Sequence, residues 1–218
     1  MSLIIVGYSF HGIVITSDKR ITTTRKISTD GEHERYEIFP LTDTETKSFV
    51  FPHGVSISYC GQSSIRGLPV SFIIKRFIHK CKLTNPYEIA NTFLWYIKNL
   101  DSSANISIFV CGYSGNDQVV LEGHTNTEEL KNHVISSKPS GLSWMGMKDI
   151  TTSLINNNIV DFNSLSLQDY IDLSVFLIQA TAKMMKFSAT AKTVSENYDC
   201  LIITPDGHKW LTNNDYYV

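Results

Sequence analysis

Short apolar runs of strand length open and close the chain, and helical patterns lie between them. Leu3–Val6 and Ile13–Thr16 are rich in β-branched residues and are joined near Gly12, which predicts an antiparallel strand pair at the start. Further strand pairs are predicted around turns rich in Gly, Pro, Ser or Asn, at 47–51 with 55–59, 106–113 with 118–122, and 198–203 with 208–211. The polar stretch 21–46 is interpreted as a long excursion from this scaffold.

Apolar residues recur with helical spacing in the middle of the chain. From Val70 to Cys81 they lie at i, i+3, i+4, i+7, i+8 and i+11, which predicts a helix over 69–82 with one buried stripe. Asn85-Pro86 is a helix start signal and predicts a second helix to residue 100. Two more helices are predicted at 147–158 and 166–187. Helix blocks between blocks of antiparallel strands, with no linker or repeat, predict an α+β fold and one domain over residues 1–218.

Composition narrows the possible partners and compartments. The 19 Lys and Arg against 21 Asp and Glu leave a net charge of −2, which argues against nucleic acid or an anionic membrane as the main partner. All four cysteines lie in apolar stretches without CxxC spacing, so we expect reduced, buried thiols. No membrane-length apolar run or signal peptide is found, which favours a cytoplasmic protein. Metal-ligand and phosphate-loop motifs are missing, so we expect no metal and no cofactor.

One constellation of residues suggests chemistry. The segment Ser2–Gly7, followed by 11–20 with Asp18-Lys19-Arg20, resembles the start of the mature β-type subunits of the proteasome family, which are N-terminal-nucleophile (Ntn) hydrolases. In this resemblance the nucleophile falls on Ser2, the catalytic lysine on Lys47, and the oxyanion-hole glycine on Gly61. The segment 141–146 resembles the Gly-x-Ser-x-x-Gly segment of the bacterial proteasome-like Anbu proteins and adds Ser143. The likeness spans nearly the whole chain.

The resemblance implies a fold and an activity. The fold would be a four-layer αββα sandwich, and the activity would be that of a threonine- or serine-type peptidase acting on peptide or protein substrates. Ile21, Glu45 and Tyr59 match positions that flank the pocket for the P1 residue, on the acyl side of the cleaved bond. Family members assemble into rings, so the resemblance also implies a homo-oligomer, and it identifies no ATPase partner.

Three departures from the family pattern bear on catalysis. Ser2 keeps the nucleophilic hydroxyl of the usual threonine but lacks the methyl group that restricts its rotamer. Lys19 stands where the triplet usually has serine. The acidic residue that the family carries before its last hairpin has no match within 190–193. Met1 must also be removed, because only a free Ser2 amine can accept a proton.

The chemistry of these residue types is coherent. A terminal serine supplies both a hydroxyl and, with a pKa of about 7.7 to 8.0, an amine suited to act as its base. A nearby Lys47 would favour the neutral amine and offset developing negative charge, with Asp18 holding that lysine by an ion pair. The N–H of Gly61 would bind the oxyanion. The alternative is that Asp18 and Lys47 form an ion pair on a sheet rim and that Gly61 only marks a bend, with Ser143 bonding a loop.

Several interpretations of the function stay open. The first is a peptidase, the second an inactive proteasome-fold scaffold or assembly protein, and the third an amidohydrolase acting on a small amide. An unpaired Glu45 would favour basic P1 residues, whereas pairing with Arg25 or Lys26 would close the groove. His11, His53 and His124 are interpreted as surface histidines in turns. Trp95 and Tyr96 add aromatic surface to the second helix, which predicts self-association through the first helix pair.

Overall fold

Two five-stranded antiparallel sheets form the centre of the protein. The computed structural model describes residues 2–30, 33–127, 129–134, 139–188 and 191–211. The first sheet contains, in spatial order, β12 (Gly141–Gly146), β1 (Leu3–Ser9), β2 (Gly12–Asp18), β13 (Tyr198–Thr204) and β14 (Gly207–Leu211). The second contains β11 (Lys131–Asn132), β10 (Asp117–His124), β9 (Ile106–Ser114), β6 (Ser56–Gly61) and β5 (Ser48–Val50). The predicted antiparallel pairs are therefore confirmed.

Four α-helices lie within the described part of the chain, one pair for each sheet. They are α1 (Val70–Lys80), α2 (Pro86–Leu100), α3 (Asp149–Asn156) and α4 (Leu167–Phe187). Helices α1 and α2 share an apolar cluster with the second sheet, α4 packs on β1 and β2, and α3 packs on α4. None of these helices is long and apolar enough to cross a membrane. The predicted mixture of helices and antiparallel sheets is confirmed, with helix bounds close to those expected.

Strand β1 is covered on both faces, which explains its unbroken apolar sequence. Ile4 and Val6 pack against side chains of the second sheet. Leu3 and Ile5 point to the other face and pack against residues of α4. All seven residues of the strand are buried. The start of the chain is therefore held between two apolar layers, and the position of Ser2 immediately before β1 is determined by that packing.

The polar stretch 21–46 is better ordered than its composition suggests. It forms a hairpin of two ten-residue strands, β3 (Ile21–Asp30) and β4 (His33–Thr42), which pair with each other and with neither main sheet. The interpretation as an excursion from the scaffold holds, but its strands were not predicted. The reason is that an exposed two-stranded ribbon needs no apolar alternation, so only the β-branched Thr22-Thr23-Thr24 run indicated it. A small pair, β7 (Ser64–Ile65) and β8 (Leu68–Pro69), precedes α1.

Candidate active site

Asp18 ends β2 and lies at the centre of a saturated hydrogen-bond network. The residue is fully buried. Its Oδ1 accepts hydrogen bonds from the N–H of Leu3 and from Nζ of Lys47, both at 2.8 Å. Its Oδ2 accepts from the N–H of Arg20 at 2.9 Å and from that of Ser195 at 3.3 Å. One carboxylate thus joins four segments that are distant in sequence, and no bulk water is needed to solvate it.

Lys47 lies immediately before β5 and is buried with Asp18. Besides its ion pair, Nζ donates a hydrogen bond to the carbonyl oxygen of Arg20 at 2.6 Å. Burial lowers the pKa of Lys47, and the adjacent Asp18 carboxylate opposes that shift. The expected ion pair is therefore present, and both of its side chains are almost entirely removed from solvent. Removing either partner would leave a buried charge uncompensated.

Ser2 lies immediately before β1 and is held in place by its backbone carbonyl group. It is buried, and its carbonyl oxygen accepts a hydrogen bond from the N–H of Met147 at 2.7 Å. Gly146 pairs with Leu3 and has a φ of +96°. A Cβ at this glycine would overlap the Ser2 carbonyl, so only glycine permits the approach of the two chains. The position of residue 2 is therefore fixed by β12 as well as by β1.

Gly61 ends β6 in a conformation that other residues rarely adopt. Its φ is +111°, and an added Cβ would lie 2.6 Å from the carbonyl oxygen of Asn105. The residue lines a cavity of about 360 Å³ together with Ser2 and Lys47. Asp18 does not line this cavity itself, but it forms a hydrogen bond with Lys47, which does. The structure therefore brings Ser2, Lys47 and Gly61 together around one cavity, with Asp18 bonded to Lys47.

Two of the three residues expected to flank a P1 pocket line the cavity beside Ser2. Ile21 and Tyr59 line the cavity, whereas Glu45 lies beside Tyr59 and does not itself line it. Burial, the largest cause, and the neighbouring Glu45 carboxylate both raise the pKa of Tyr59. Within the described part of the chain, the buried Tyr59 hydroxyl and Glu45 Oε1 make no hydrogen bond of good geometry, although the Tyr59 hydroxyl lies close to Glu45 and Ser71. The hydrogen bonding of these two groups is therefore incomplete rather than absent.

A second cavity, of about 270 Å³, lies on the other side of Ser2 and Gly61. Its wall includes Glu122 and His124 at the end of β10. His124 Nδ1 bonds the hydroxyl of Ser107 at 2.6 Å, and Glu122 bonds Nε2 of His133 at 2.8 Å, which is the main reason that the pKa of Glu122 is lowered. His124 is therefore the last residue of a strand rather than part of a turn, and its side chain, which is 37% exposed, lines a cavity at the surface.

Cys60 also lines the second cavity, directly before Gly61. Burial raises the pKa of its thiol to about 12, so the thiol stays protonated at neutral pH. A protonated thiol is a poor nucleophile. Ser2 is therefore a better candidate for the nucleophile in this region than Cys60 is.

Ser143 does not join the other predicted residues. It lies in β12 opposite Val6, which is four residues from Ser2 along β1. At about 3.3 Å per residue this separation is roughly 13 Å. The register instead places Gly146 and Met147 against Ser2. The structure therefore does not bring Ser143 together with Ser2, Lys47 and Gly61, because the register of β12 places Gly146 and Met147 rather than Ser143 beside Ser2.

Sequence reasoning missed the residues that complete the network. The backbone of Arg20 takes part through both its N–H and its carbonyl oxygen, while its guanidinium bonds Asp43. Thr193 lines the cavity, and the Ser195 N–H binds Asp18. Backbone groups carry no sequence signal, and a hydroxyl 175 positions from Asp18 has none either. Only the three-dimensional arrangement reveals them.

Cavity size does not identify this site. A cavity of about 640 Å³ lies between β5, α1 and Trp210, and none of the predicted catalytic or pocket residues lines it. Its wall is mostly apolar, with Phe49, Phe51 and Ile78 among the lining residues. What distinguishes the smaller cavity is that a buried ion pair lies beside Ser2, the second residue of the sequence.

Comparison with known proteins supports the fold. No family model and no curated protein matches the sequence. Among solved structures, the chain is similar to Anbu from Hyphomicrobium sp. strain MC1, described as a Gly-1 mutant. The TM-score is 0.67 and the identity 13%, over 100% of this chain and 90% of that chain. A likeness at this identity concerns the fold alone, and we conclude that the chain has a proteasome-like fold of mixed α and β structure.

Proposed function

We propose that this protein is a proteasome-type peptidase in which Ser2, freed by removal of Met1, is the nucleophile. The observation that carries the proposal is the buried Lys47–Asp18 pair beside Ser2 and Gly61 in one cavity. Buried charge is costly, and its presence beside a terminal serine is better explained by catalysis than by stability. The proposal also includes a four-layer αββα arrangement, a single domain and a cytoplasmic location for the protein.

The proposed reaction begins with attack of the Ser2 hydroxyl oxygen on the substrate carbonyl carbon. The free α-amine of Ser2 takes the hydroxyl proton, and the Gly61 N–H binds the oxyanion. The amine then returns the proton to the leaving nitrogen as the amide bond breaks, which gives an acyl ester on Ser2. Water hydrolyses that ester by the same route and regenerates the hydroxyl. The positive charge on Lys47 favours a neutral amine and stabilises the negative charge of each step.

The same proposal includes a substrate preference. Glu45 and Tyr59 place unmet hydrogen-bonding groups beside the cavity, and the carboxylate would favour a basic P1 side chain over an acidic one. We expect Glu45→Gln to lower the turnover ratio of basic to neutral P1 substrates. The matched control is Glu37→Gln, in the exposed hairpin.

The alternative function is an inactive scaffold that assembles from several copies. It is favoured by Met1, which in the unprocessed chain makes the Ser2 nitrogen an amide, and by Trp95 on α2, which is 67% exposed. Exposed tryptophan is typical of interfaces, and a homo-oligomer through α1 and α2 is compatible with either function. Trp95→Glu followed by sedimentation tests the assembly independently of catalysis.

An active-site-directed electrophile separates the two functions. The protein is released from a fusion so that Ser2 is its first residue, and it is treated with a peptide carrying a serine-reactive warhead. We expect one added label per chain by intact mass, located on Ser2 by peptide mapping and lost in Ser2→Ala. Ser143→Ala, which is distant from the cavity, should label normally. No label on the Met1-free wild type would contradict the peptidase and favour the scaffold.

A further inference from the structure

Three polar side chains that the Ser2 mechanism does not use meet at the end of the second sheet. Ser107 of β9 and His124 of β10 are direct partners in the strand register, so their side chains project from the same face. Glu122 lies two residues before His124 on β10 and shares that face. The register therefore brings a hydroxyl, an imidazole and a carboxylate together.

The distances within this group, Ser107, His124 and Glu122, are those of an activated nucleophile, and we call the group the β9–β10 triad. Ser107 Oγ lies 2.6 Å from Nδ1 of His124. The other ring nitrogen, Nε2, lies 3.3 Å from Oε1 of Glu122. A hydroxyl at about 2.6 to 3.2 Å from a base that a third group orients is the general signature of nucleophilic catalysis, whatever the fold.

The Glu122 carboxylate determines which nitrogen of His124 can act as the base. The hydrogen bond from His133 lowers the pKa of Glu122, so the carboxylate is ionised at neutral pH and can only accept. A proton is therefore favoured on the nearby Nε2 of His124, which leaves Nδ1 unprotonated in the neutral ring. The Ser107 hydroxyl then donates to Nδ1, which is the direction of proton transfer that a nucleophilic serine requires.

The surroundings of Ser107 leave its proton to His124 and its oxygen accessible to a small ligand. Cys60 faces Ser107 from β6, but burial keeps its thiol protonated, so the thiol does not take the proton. Ser107 is half-buried and lines the second cavity, of about 270 Å³, together with His124 and Lys148. A cavity of this size fits a short acyl group rather than an extended peptide.

We propose that the β9–β10 triad is a second nucleophilic centre, which hydrolyses esters of short carboxylic acids. An ester is the substrate class that demands least of the site, since an alkoxide leaves more readily than an amide nitrogen. The inference goes beyond the proposed peptidase and does not depend on it. It needs no removal of Met1, because the base is an imidazole and not a terminal amine.

The reaction begins with attack of the Ser107 oxygen on the ester carbonyl carbon, while Nδ1 of His124 takes the hydroxyl proton. The imidazolium returns this proton to the leaving oxygen as the C–O bond breaks, which releases the alcohol and leaves an acyl ester on Ser107. Water then loses a proton to Nδ1 and attacks that ester. The proton passes to the Ser107 oxygen, and the carboxylic acid leaves. Glu122 is a positioning residue that stabilises the imidazolium, and Lys148 offsets the charge of the tetrahedral intermediates.

The test is covalent labelling by a small alkyl fluorophosphonate in the full chain carrying Ser2→Ala, which lacks the proposed peptidase nucleophile. We expect one phosphonyl group on Ser107, located by peptide mapping, with fluoride as the leaving group. Adding His124→Gln should slow this labelling by about 100-fold or more, because the base is lost. The matched controls are His53→Gln, at an exposed position, and Ser114→Ala, at the other end of β9. Both should label at an unchanged rate.

Hydrolysis of p-nitrophenyl acetate in the same Ser2→Ala chain measures turnover and the role of Glu122. Ser107→Ala should reduce the rate to that of the uncatalysed reaction. Glu122→Gln should lower kcat about tenfold and leave KM within about twofold, because the cavity is kept while the imidazolium loses its counter-charge. A merely structural role of Glu122 would change the urea unfolding curve and leave kcat of the folded protein unchanged, which would contradict the assignment of Glu122 to the triad.

The outcomes separate this centre from the proposed function. If Ser107 is not labelled, or if His124→Gln leaves its labelling rate unchanged, the second centre is wrong and the Ser2 peptidase is unaffected. The position of the label is read in a chain whose triad is intact. A Ser107→Ala variant that fails to fold, as judged by urea unfolding, therefore leaves the labelling result decisive.

Discussion

The two sides of the Ser2 cavity differ in how completely their polar atoms are satisfied. Asp18 and Lys47, which we call the paired cluster, make five hydrogen bonds that join four chain segments. Tyr59 and Thr193, which line the cavity, and the adjacent Glu45 are together called the unpaired wall, and each carries a buried polar atom without a hydrogen-bond partner among the described residues. The difference separates groups whose positions are fixed by hydrogen bonds from groups whose hydrogen bonding is incomplete.

The largest expected effect comes from breaking the paired cluster. Lys47→Met should lower the free energy of unfolding by about 3 to 5 kcal/mol, because the Asp18 carboxylate then stays buried without its cation. Urea unfolding measures this. Lys19→Met removes the partly exposed ion pair with Asp199 and should cost less than about 1 kcal/mol. Adding Asp18→Asn to Lys47→Met should recover part of the lost free energy of unfolding. If Lys47→Met and Lys19→Met lost the same stability, the comparison would be contradicted.

The next effect concerns the glycine between the two cavities. Gly61→Ala should cost about 2 to 3 kcal/mol, since the new methyl meets the Asn105 carbonyl in addition to the strain of a positive φ. Gly67→Ala, with a φ of +78° and open space around it, should cost about 1 kcal/mol from backbone strain alone. Thermal or urea unfolding compares the two. If both variants lose the same stability, the close approach at Gly61 is not important for folding.

A smaller effect of opposite sign is expected in the unpaired wall. Tyr59→Phe removes a buried hydroxyl that has no partner, so it should leave stability unchanged or raise it by up to about 1 kcal/mol. Tyr170→Phe is the matched control, because its hydroxyl donates to the Phe162 carbonyl at 2.9 Å. That variant should lose about 1 kcal/mol in the same urea titration. A clear loss in Tyr59→Phe would show that the hydroxyl already has a partner.

The smallest effect extends the comparison to the second cavity and concerns acid stability. The hydrogen bond from His133 holds the pKa of Glu122 below its usual value, so the folded state binds fewer protons than the unfolded state in this range. Stability from this group is present above about pH 4.3 and is lost as pH falls through the lowered value. Glu122→Gln should therefore flatten the fall of unfolding free energy between pH 5 and pH 3. Glu129→Gln, at an exposed position, should keep the wild-type slope.

The sequence predicts the elements of this fold better than their arrangement. Periodicity is a local property, so the helix at 70–80 and the strand at 3–9 could be read directly from apolar spacing. The hairpin at 21–42 was missed as strand because neither of its faces needs a continuous apolar row. The packing of the helices on opposite sheets depends on long-range contacts that no local pattern encodes.

Most of the candidate site residues were predicted from the family resemblance, and few could be predicted from residue spacing alone. Neither Asp18 nor Lys47 is unusual in its local sequence, and they meet only because β2 and the start of β5 belong to facing sheets. Ser143 lies apart from Ser2 because the register of β12 decides which of its residues reaches the start of β1, and a short glycine-containing segment does not reveal that register. Thr193 could not be recognised, because what distinguishes it is the missing partner of its hydroxyl.

The contacts of Asp18 also set the order in which the site can be assembled during synthesis. Apart from the neighbouring Arg20, its partners lie 15, 29 and 177 residues away in the chain. The last of them, the Ser195 N–H, leaves the ribosome only after nearly the whole protein has been translated, which at roughly 5 to 20 residues per second takes ten seconds or more. The start of the chain therefore stays accessible to processing enzymes for most of translation, and the completed carboxylate network closes over it only when folding is nearly finished.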